Sequence, residues 1–192
     1  MNVLNYFTDG SVTFNNQTQI QKGTCGFISV KDNKLIDSLV CDTIPEINFC
    51  EAAAINLAIA NIYQIISNYE RIYIYSDSGC CVDGIRNIIY WKCFNAQKPS
   101  WYNSTLMKPF QIEIAKAANG IIYLTNYIDL RLIKIRSHVS MKDQIKHFKK
   151  YYNEKIDNGR AYIIKNGNAL IDSMVSTTIN YNQYNPVPVY VL

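Results

Sequence analysis

Residues 49–67 contain a single charged side chain, Glu51, in a stretch that is otherwise apolar, small or neutral. The pattern predicts a helix that begins near Asn48, as its N-cap, and ends at about Ser67. A helix without charge on nearly all faces has to be buried, and its alanines allow close packing on a sheet. A glutamate in a first turn is commonly explained by the helix dipole, but the absence of other charges favours a functional role for Glu51.

The rest of the chain is patterned as strands first and then as alternating helices and strands. Alternating apolar residues predict strands at 2–8, 26–31 and 34–40, and their short connections make them antiparallel. Further strands are predicted at 71–76, 130–136 and 161–165, and helices at 79–91, 109–118, 141–155 and 168–179. Asp32-Asn33 and Asn166-Gly167 are predicted turns. This order is typical of a mixed sheet with helices packed on it.

Composition indicates one globular domain. The 192 residues, 48% of them hydrophobic, are enough for one core and short for two. No apolar run reaches the length that crosses a bilayer, and the N-terminal residues do not resemble a signal peptide. We therefore expect a cytoplasmic protein without membrane association. Abundant Asn, Ile, Tyr and Lys are typical of AT-rich genomes, such as those of some viruses and low-GC bacteria.

Positive charge is concentrated in residues 131–165. This segment has ten Lys and Arg against three acids, a net charge of +7, whereas the whole chain carries +4. A localised basic stripe favours a polyanionic partner. On charge alone, a solvated helix face explains the stripe equally well.

Three more acids lie in apolar surroundings. Asp9 follows the first predicted strand, Asp77 ends the strand at 71–76, and Asp172 lies in a late apolar helix. Each acid alone is explained by a turn or a helix start. Together with Glu51 they indicate a divalent cation such as Mg²⁺, because carboxylates in apolar surroundings need a positive group. Such an ion also binds phosphate, so the set predicts a metal-dependent phosphodiester-cleaving enzyme.

Four stretches, 6–11, 50–58, 72–78 and 168–172, resemble the motifs of the ribonuclease H type I family in the same order. The family has a strand followed by Asp-Gly-Ser, a helical Glu, a strand followed by Asp-Ser, and a late helical Asp. The resemblance implies an α/β fold with a mixed five-stranded sheet, three antiparallel strands followed by parallel ones, and helices on both faces. It also implies that the four acids are catalytic and hold two Mg²⁺ ions, with Mn²⁺ as an alternative.

Other positions resemble family residues that contact substrate or assist catalysis. His138 follows a strand, as does a family histidine that assists catalysis or product release. Asn48 and Asn168 match family asparagines, and we expect both to bind nucleic acid. Two basic groups are further candidates for nucleic-acid binding: Lys92, Lys98 and Trp101, next to Trp91, and Lys146, Lys149 and Lys150.

The main departure from the family is the spacing of 34 residues between His138 and Asp172, where the family has a short loop. We therefore predict a single domain at 1–180 with a basic insertion at about 139–167, followed by a tail at 181–192. The family's glycine-rich turn after Asp-Gly-Ser is replaced by Asn15-Asn16-Gln17.

The resemblance implies an endonuclease that hydrolyses the RNA strand of RNA/DNA hybrids. The hybrid is the expected partner, with no small-molecule cofactor, and the protein is expected to be a monomer. Two alternatives stay open: a DNA nuclease or junction resolvase of the same fold, and an inactive nucleic-acid-binding module.

Overall fold

The computed structural model describes residues 2–102 and 106–177. These contain five strands, β1 (Val3–Asn15), β2 (Ile20–Lys31), β3 (Lys34–Thr43), β4 (Arg71–Ser76) and β5 (Asp129–Lys134). Five α-helices are α1 (Ile47–Ile65), α2 (Gly79–Phe94), α3 (Pro109–Leu124), α4 (Met141–Tyr152) and α5 (Asn158–Thr177). The predicted tail at 181–192 lies outside the described residues.

The strands form one sheet in the order β3-β2-β1-β4-β5. The pairs β1–β2 and β2–β3 are antiparallel, and the pairs β1–β4 and β4–β5 are parallel. Asp32 and Asn33 both have positive φ, as a tight turn between β2 and β3 requires. The predicted mixed five-stranded sheet is confirmed.

Strand β1 is longer than predicted. Asp9 does not end it, because antiparallel pairing with β2 continues from Asp9↔Gly26 to Asn15↔Ile20. Parallel pairing with β4 stops at Phe7↔Tyr75. Asp9 therefore lies just beyond the C-terminal end of β4.

Helices cover both faces of the sheet because alternate residues of the central strands point to opposite sides. Leu4 and Tyr6 of β1 belong to a core cluster with side chains of α1, α2 and α3. Phe7 belongs to a second cluster with side chains of α4 and α5. Its ring stacks on Tyr75 of β4 at a centroid distance of 5.0 Å.

Helix α1 begins one residue before the expected N-cap. Glu46 is the N-cap and Asn48 lies in the first turn. Contrary to the sequence expectation, residues 47–68 are long and apolar enough to cross a membrane by composition, with a mean hydropathy of 1.4. In this fold, eight residues of α1 are buried, and the helix packs between the sheet and α3. Burial in the core thus accounts for its apolar character.

Helix α5 corrects the prediction for residues 161–179. The expected strand at 161–165 and turn at Asn166-Gly167 are one continuous helix. A Cβ on Gly167 would lie 2.3 Å from Cε2 of Phe7, so glycine here allows α5 to pack directly on β1. Gly167 is therefore a close-packing position within a helix and not part of a turn.

Candidate metal centre and nucleic-acid interface

Three of the four acids meet where the central strand β4 ends. Asp9 lies on β1, Glu51 in the early part of α1, and Asp77 directly after β4. One carboxylate oxygen from each lies within 4.8 Å of the other two. Glu51 is 9% exposed, whereas Asp9 and Asp77 are half-buried. The fold therefore gathers three carboxylates in a partly desolvated place.

The cluster is electrostatically unfavourable in the absence of a cation. Burial, followed by the negative charges of Asp77 and Asp172, raises the pKa of Asp9 to about 7. Burial, followed by Asp9 and Asp77, raises the pKa of Glu51 to about 9. Among the described residues, no Lys or Arg forms an ion pair with any of these three acids.

The donor set fits a divalent cation. The Oε2 atom of Glu51 is buried and has no hydrogen-bond partner among the described residues. Mg²⁺ and Mn²⁺ prefer carboxylate oxygens, and a cation between these groups would satisfy the buried oxygen and balance their charge. The residues present are therefore suited to hold such an ion.

Gly10 brings β1 and α1 together at this point. A Cβ on Gly10 would lie 2.5 Å from the backbone nitrogen of Glu51 and 2.5 Å from the carbonyl carbon of Cys50. Its backbone N–H donates to Oδ1 of Asp9 at 2.9 Å. Gly10 thus makes room for the backbone of α1, which sets the spacing between Asp9 and Glu51.

The fourth acid and the candidate histidine lie side by side. Asp172 is in the middle of α5, not near its start, and its carboxylate is near enough to raise the pKa of Asp9. His138 is exposed, has a left-handed φ of 52°, and places its Nε2 3.7 Å from Oδ2 of Asp172. Although 34 residues separate them, α5 brings the two side chains together.

The two asparagines lie on the helices that carry the acids. Asn48 is half-buried in the first turn of α1, and its backbone carbonyl accepts a hydrogen bond from Sγ of Cys81 at 3.5 Å. Asn168 is 6% exposed, one turn before Asp172 on α5. It lines a cavity of about 360 Å³ together with His138.

The aromatic and basic side chains near the end of α2 form one group. The ammonium groups of Lys92 and Lys98 lie 5.4–5.8 Å from the ring centroids of Trp91 and Tyr102. Trp91, Trp101 and Tyr102 are partly buried against the core cluster. These aromatic side chains thus pack on the core, and two of them present ring faces to lysines.

The basic segment is less uniform than its charge suggests. Lys146, Lys149 and Lys150 are exposed on α4, where Lys146 lies 3.7 Å from Asp143. Arg160, by contrast, lies over the ring of Tyr73 at 4.4 Å and pairs with Glu154. That arginine belongs to the core packing of α5, so part of the +7 charge is structural.

Sequence reasoning missed the residues that surround His138. Arg136 and Lys165 line the same 360 Å³ cavity, which makes it basic. Gln144 is 2% exposed and forms two hydrogen bonds with the backbone of Arg136. Its Nε2 donates to the carbonyl at 3.1 Å, and its Oε1 accepts from the N–H at 3.4 Å. In the sequence, Gln144 could have been recognised as a polar residue at an apolar position of an amphipathic helix.

Comparisons with known proteins identify the fold. No protein-family profile and no curated protein matches the sequence. The prototype foamy virus protease-reverse transcriptase matches with a TM-score of 0.57 and 14% identity, over 94% of this chain and 21% of that one. The chain therefore spans about a fifth of that protein's length.

Two related structures match as well. The PFV RNase H domain has a TM-score of 0.55 and 15% identity, over 90% of this chain and 92% of that one. The foamy viral protease-reverse transcriptase in complex with an RNA/DNA hybrid has a TM-score of 0.50 and 11% identity, over 69% and 17%. Identities this low establish shape and not activity. The chain therefore has the ribonuclease H-like fold that its sequence motifs implied.

Proposed function

We propose that this protein is a metal-dependent endonuclease that hydrolyses the RNA strand of RNA/DNA hybrids. The observation that carries the proposal is the convergence of Asp9, Glu51 and Asp77 within 4.8 Å, with Asp172 close by, on a ribonuclease H-like fold. An inactive binding module would have no need of a buried, unfavourable cluster of acids.

The four acids would hold two divalent cations, which supply activation of a water and stabilisation of the leaving 3′ oxygen. Glu51 is the most buried of these four acids. His138, exposed and next to Asp172, would accept or deliver a proton as product leaves.

The hybrid would be recognised by its shape and its 2′-hydroxyl groups, not by base sequence. Asn48 and Asn168 lie on the same helices as Glu51 and Asp172 and are candidates for contact near the scissile phosphate. The group of Lys92, Lys98, Trp91 and Trp101 lies towards the far end of α2 from Asp77, where Lys92 is about 20 Å along the helix axis from Gly79 at 1.5 Å per residue. It is a candidate for contact with the DNA strand roughly six nucleotides from the scissile position.

The test is cleavage of a labelled RNA/DNA hybrid with Mg²⁺ or Mn²⁺, beside duplex DNA, duplex RNA and a four-way junction. We expect cutting of the RNA strand of the hybrid and none by Asp77→Asn. Cutting of DNA or junctions alone would replace the proposal with a DNA nuclease. Binding without cutting under either metal would replace it with an inactive module.

We further propose that residues 139–167 act as a substrate clamp, because α4 presents exposed lysines beside the site. Changing Lys146, Lys149 and Lys150 to alanine should weaken hybrid binding and flatten its dependence on salt, since fewer counterions are released. Hybrid affinity measured at several salt concentrations checks this. Alanine at Lys22, Lys31 and Lys34, on strands β2 and β3 across the sheet from β5, is the matched control. Unchanged affinity in the α4 variant would disprove the clamp.

A further inference from the structure

A cavity of about 400 Å³ lies between the C-terminal end of β5 and helix α4, outside the carboxylate cluster. Arg136, Lys146 and Lys150 contribute positive charge to its wall, and Asp143 is the one acid that lines it among the described residues. Lys134 also lines it, but its ammonium pairs with Asp83 at 3.3 Å. The cavity therefore has a net positive wall.

This cavity lies at the C-terminal ends of the parallel strands, as the acids do. Lys134 pairs with Ser76 in the β4–β5 register, and Asp77 directly follows Ser76. Arg136 lines this cavity and also the neighbouring one that contains His138. A basic path thus connects the 400 Å³ cavity with the pair formed by His138 and Asp172.

His147 in the cavity wall has an unsatisfied polar atom. It is 6% exposed, and its Nε2 lies 3.0 Å from the backbone carbonyl of Lys134. A carbonyl only accepts, so Nε2 carries the proton and Nδ1 of the neutral ring is an acceptor. That Nδ1 is buried and has no partner among the described residues. Protonation would place a positive charge on the ring in the cavity wall, and an anion bound in the cavity would stabilise that charge.

We propose that the 400 Å³ cavity is a phosphate-binding site, formed by Arg136, Lys146 and Lys150, in which His147 becomes protonated as the phosphate binds. Guanidinium and ammonium groups are the side chains that bind phosphate oxygens most strongly. The phosphate belongs to the nucleic-acid backbone beyond the scissile position. The assignment of the phosphate to nucleic acid rests on the proposed function, whereas the existence of an anion site does not.

The electrostatics of His147 support coupling between proton and anion. Burial lowers its pKa, and the charges of Arg136, Lys134 and Lys150 lower it further, while the bond to the Lys134 carbonyl opposes them. Lys134 of β5 and Arg136 after it lie on one side of the ring. Helix α4 adds the charged and titratable groups of Asp143, Lys146, Lys150, Tyr151 and Tyr152. From α5, Arg160 lies over the adjacent ring of Phe148 and pairs with Glu154. A bound anion would counter these cations, so anion binding should strengthen as pH falls.

The first test follows the imidazole signals of metal-free protein by NMR, from pH 5 to 8, with and without inorganic sulfate. Sulfate mimics phosphate and keeps its charge across this range. We expect sulfate to raise the pKa of His147 by about one unit, the effect of one opposite charge placed nearby. Lys146→Ala/Lys150→Ala should lose the response. Lys142→Ala/Lys155→Ala, the same charge change in the same segment but outside the cavity, should keep it.

The second test measures binding of the RNA/DNA hybrid with the same two double variants in an Asp77→Asn background. We expect Lys146→Ala/Lys150→Ala to reduce the slope of log affinity against log salt by about 1, and the control pair to reduce it less. Sulfate binding with equal hybrid slopes would overturn the nucleic-acid source. No sulfate response, or equal loss in both pairs, would overturn the site even if cleavage of the hybrid is observed.

Discussion

Replacing Glu51 by glutamine is expected to abolish cleavage and at the same time to stabilise the metal-free protein. Cleavage should fall at least about a hundredfold, because the substitution removes a ligand from the buried side of the cation site. The melting temperature at pH 8 should rise by a few degrees, because Glu51 has to take up a proton on folding at this pH whereas glutamine is neutral in both states. Calorimetry in chelator checks the second effect. Glu46→Gln, at the N-cap of the same helix, is the control and should show neither change.

The sign of the pH dependence follows from the raised pKa values. An unfolded Asp or Glu loses its proton near pH 4, whereas Asp9 and Glu51 in the fold keep theirs to about pH 7 and about pH 9. The contribution of these two carboxyl groups to the stability of the metal-free protein should therefore be greatest at low pH and decline as pH rises to about 9. Mg²⁺ should oppose the decline in the wild type and not in Glu51→Gln. A melting temperature of the metal-free protein that rises from pH 5 to pH 9 would contradict this account.

Gly167→Ala is expected to have the largest effect on stability. Its methyl group would lie 2.3 Å from the ring of Phe7, which is fully buried and stacked on Tyr75. Overpacking at such a rigid contact costs about 3 kcal/mol, which corresponds to a fall of roughly 6–12 °C in melting temperature. Cleavage should fall as well, since Asp172 is carried by the same helix.

Two variants separate overpacking from helix propensity. Gly159→Ala, on the same helix, meets its nearest atom at 3.4 Å, so it should be neutral or stabilising by up to about 1 kcal/mol. Phe7→Leu should reduce the cost of Gly167→Ala in a double-mutant cycle, because a smaller side chain gives way. If Gly159→Ala and Gly167→Ala destabilise equally in chemical denaturation, close packing on Phe7 is not the cause.

Local patterns were sufficient for the antiparallel part of the sheet. The alternation in the first forty residues and the turn at Asp32-Asn33 predict three antiparallel strands, and these are present. The error at 161–167 arose because Asn166-Gly167 is a common turn sequence. The buried positions Ala161, Ile164, Asn168, Ile171 and Val175 follow a helical repeat across it. The glycine is present for a contact with Phe7, which is distant in sequence, and so no local rule could identify its role.

The candidate site was only partly accessible from the sequence. The order of the four acids and the resemblance indicated which residues to examine, but the strand end assigned at Asp9 was wrong because Gly10 faces α1 and not a turn. The basic residues of the predicted insertion could not be sorted by sequence into exposed and buried ones. Arg160, which packs on Tyr73, has the same sequence character as Lys150, which lines a cavity. Only the packing of α4 and α5 distinguishes them.

The most direct measurement is analysis of the products from an RNA/DNA hybrid with a labelled RNA strand, incubated with the protein and Mg²⁺. The account predicts RNA fragments that end in a 3′-hydroxyl, an intact DNA strand, and no product with chelator or with Asp77→Asn. Fragments that end in a 2′,3′-cyclic phosphate would show attack by the ribose hydroxyl instead of water. That result, or cleavage that persists without Asp77, would contradict the assignment of these acids as a metal-dependent catalytic centre.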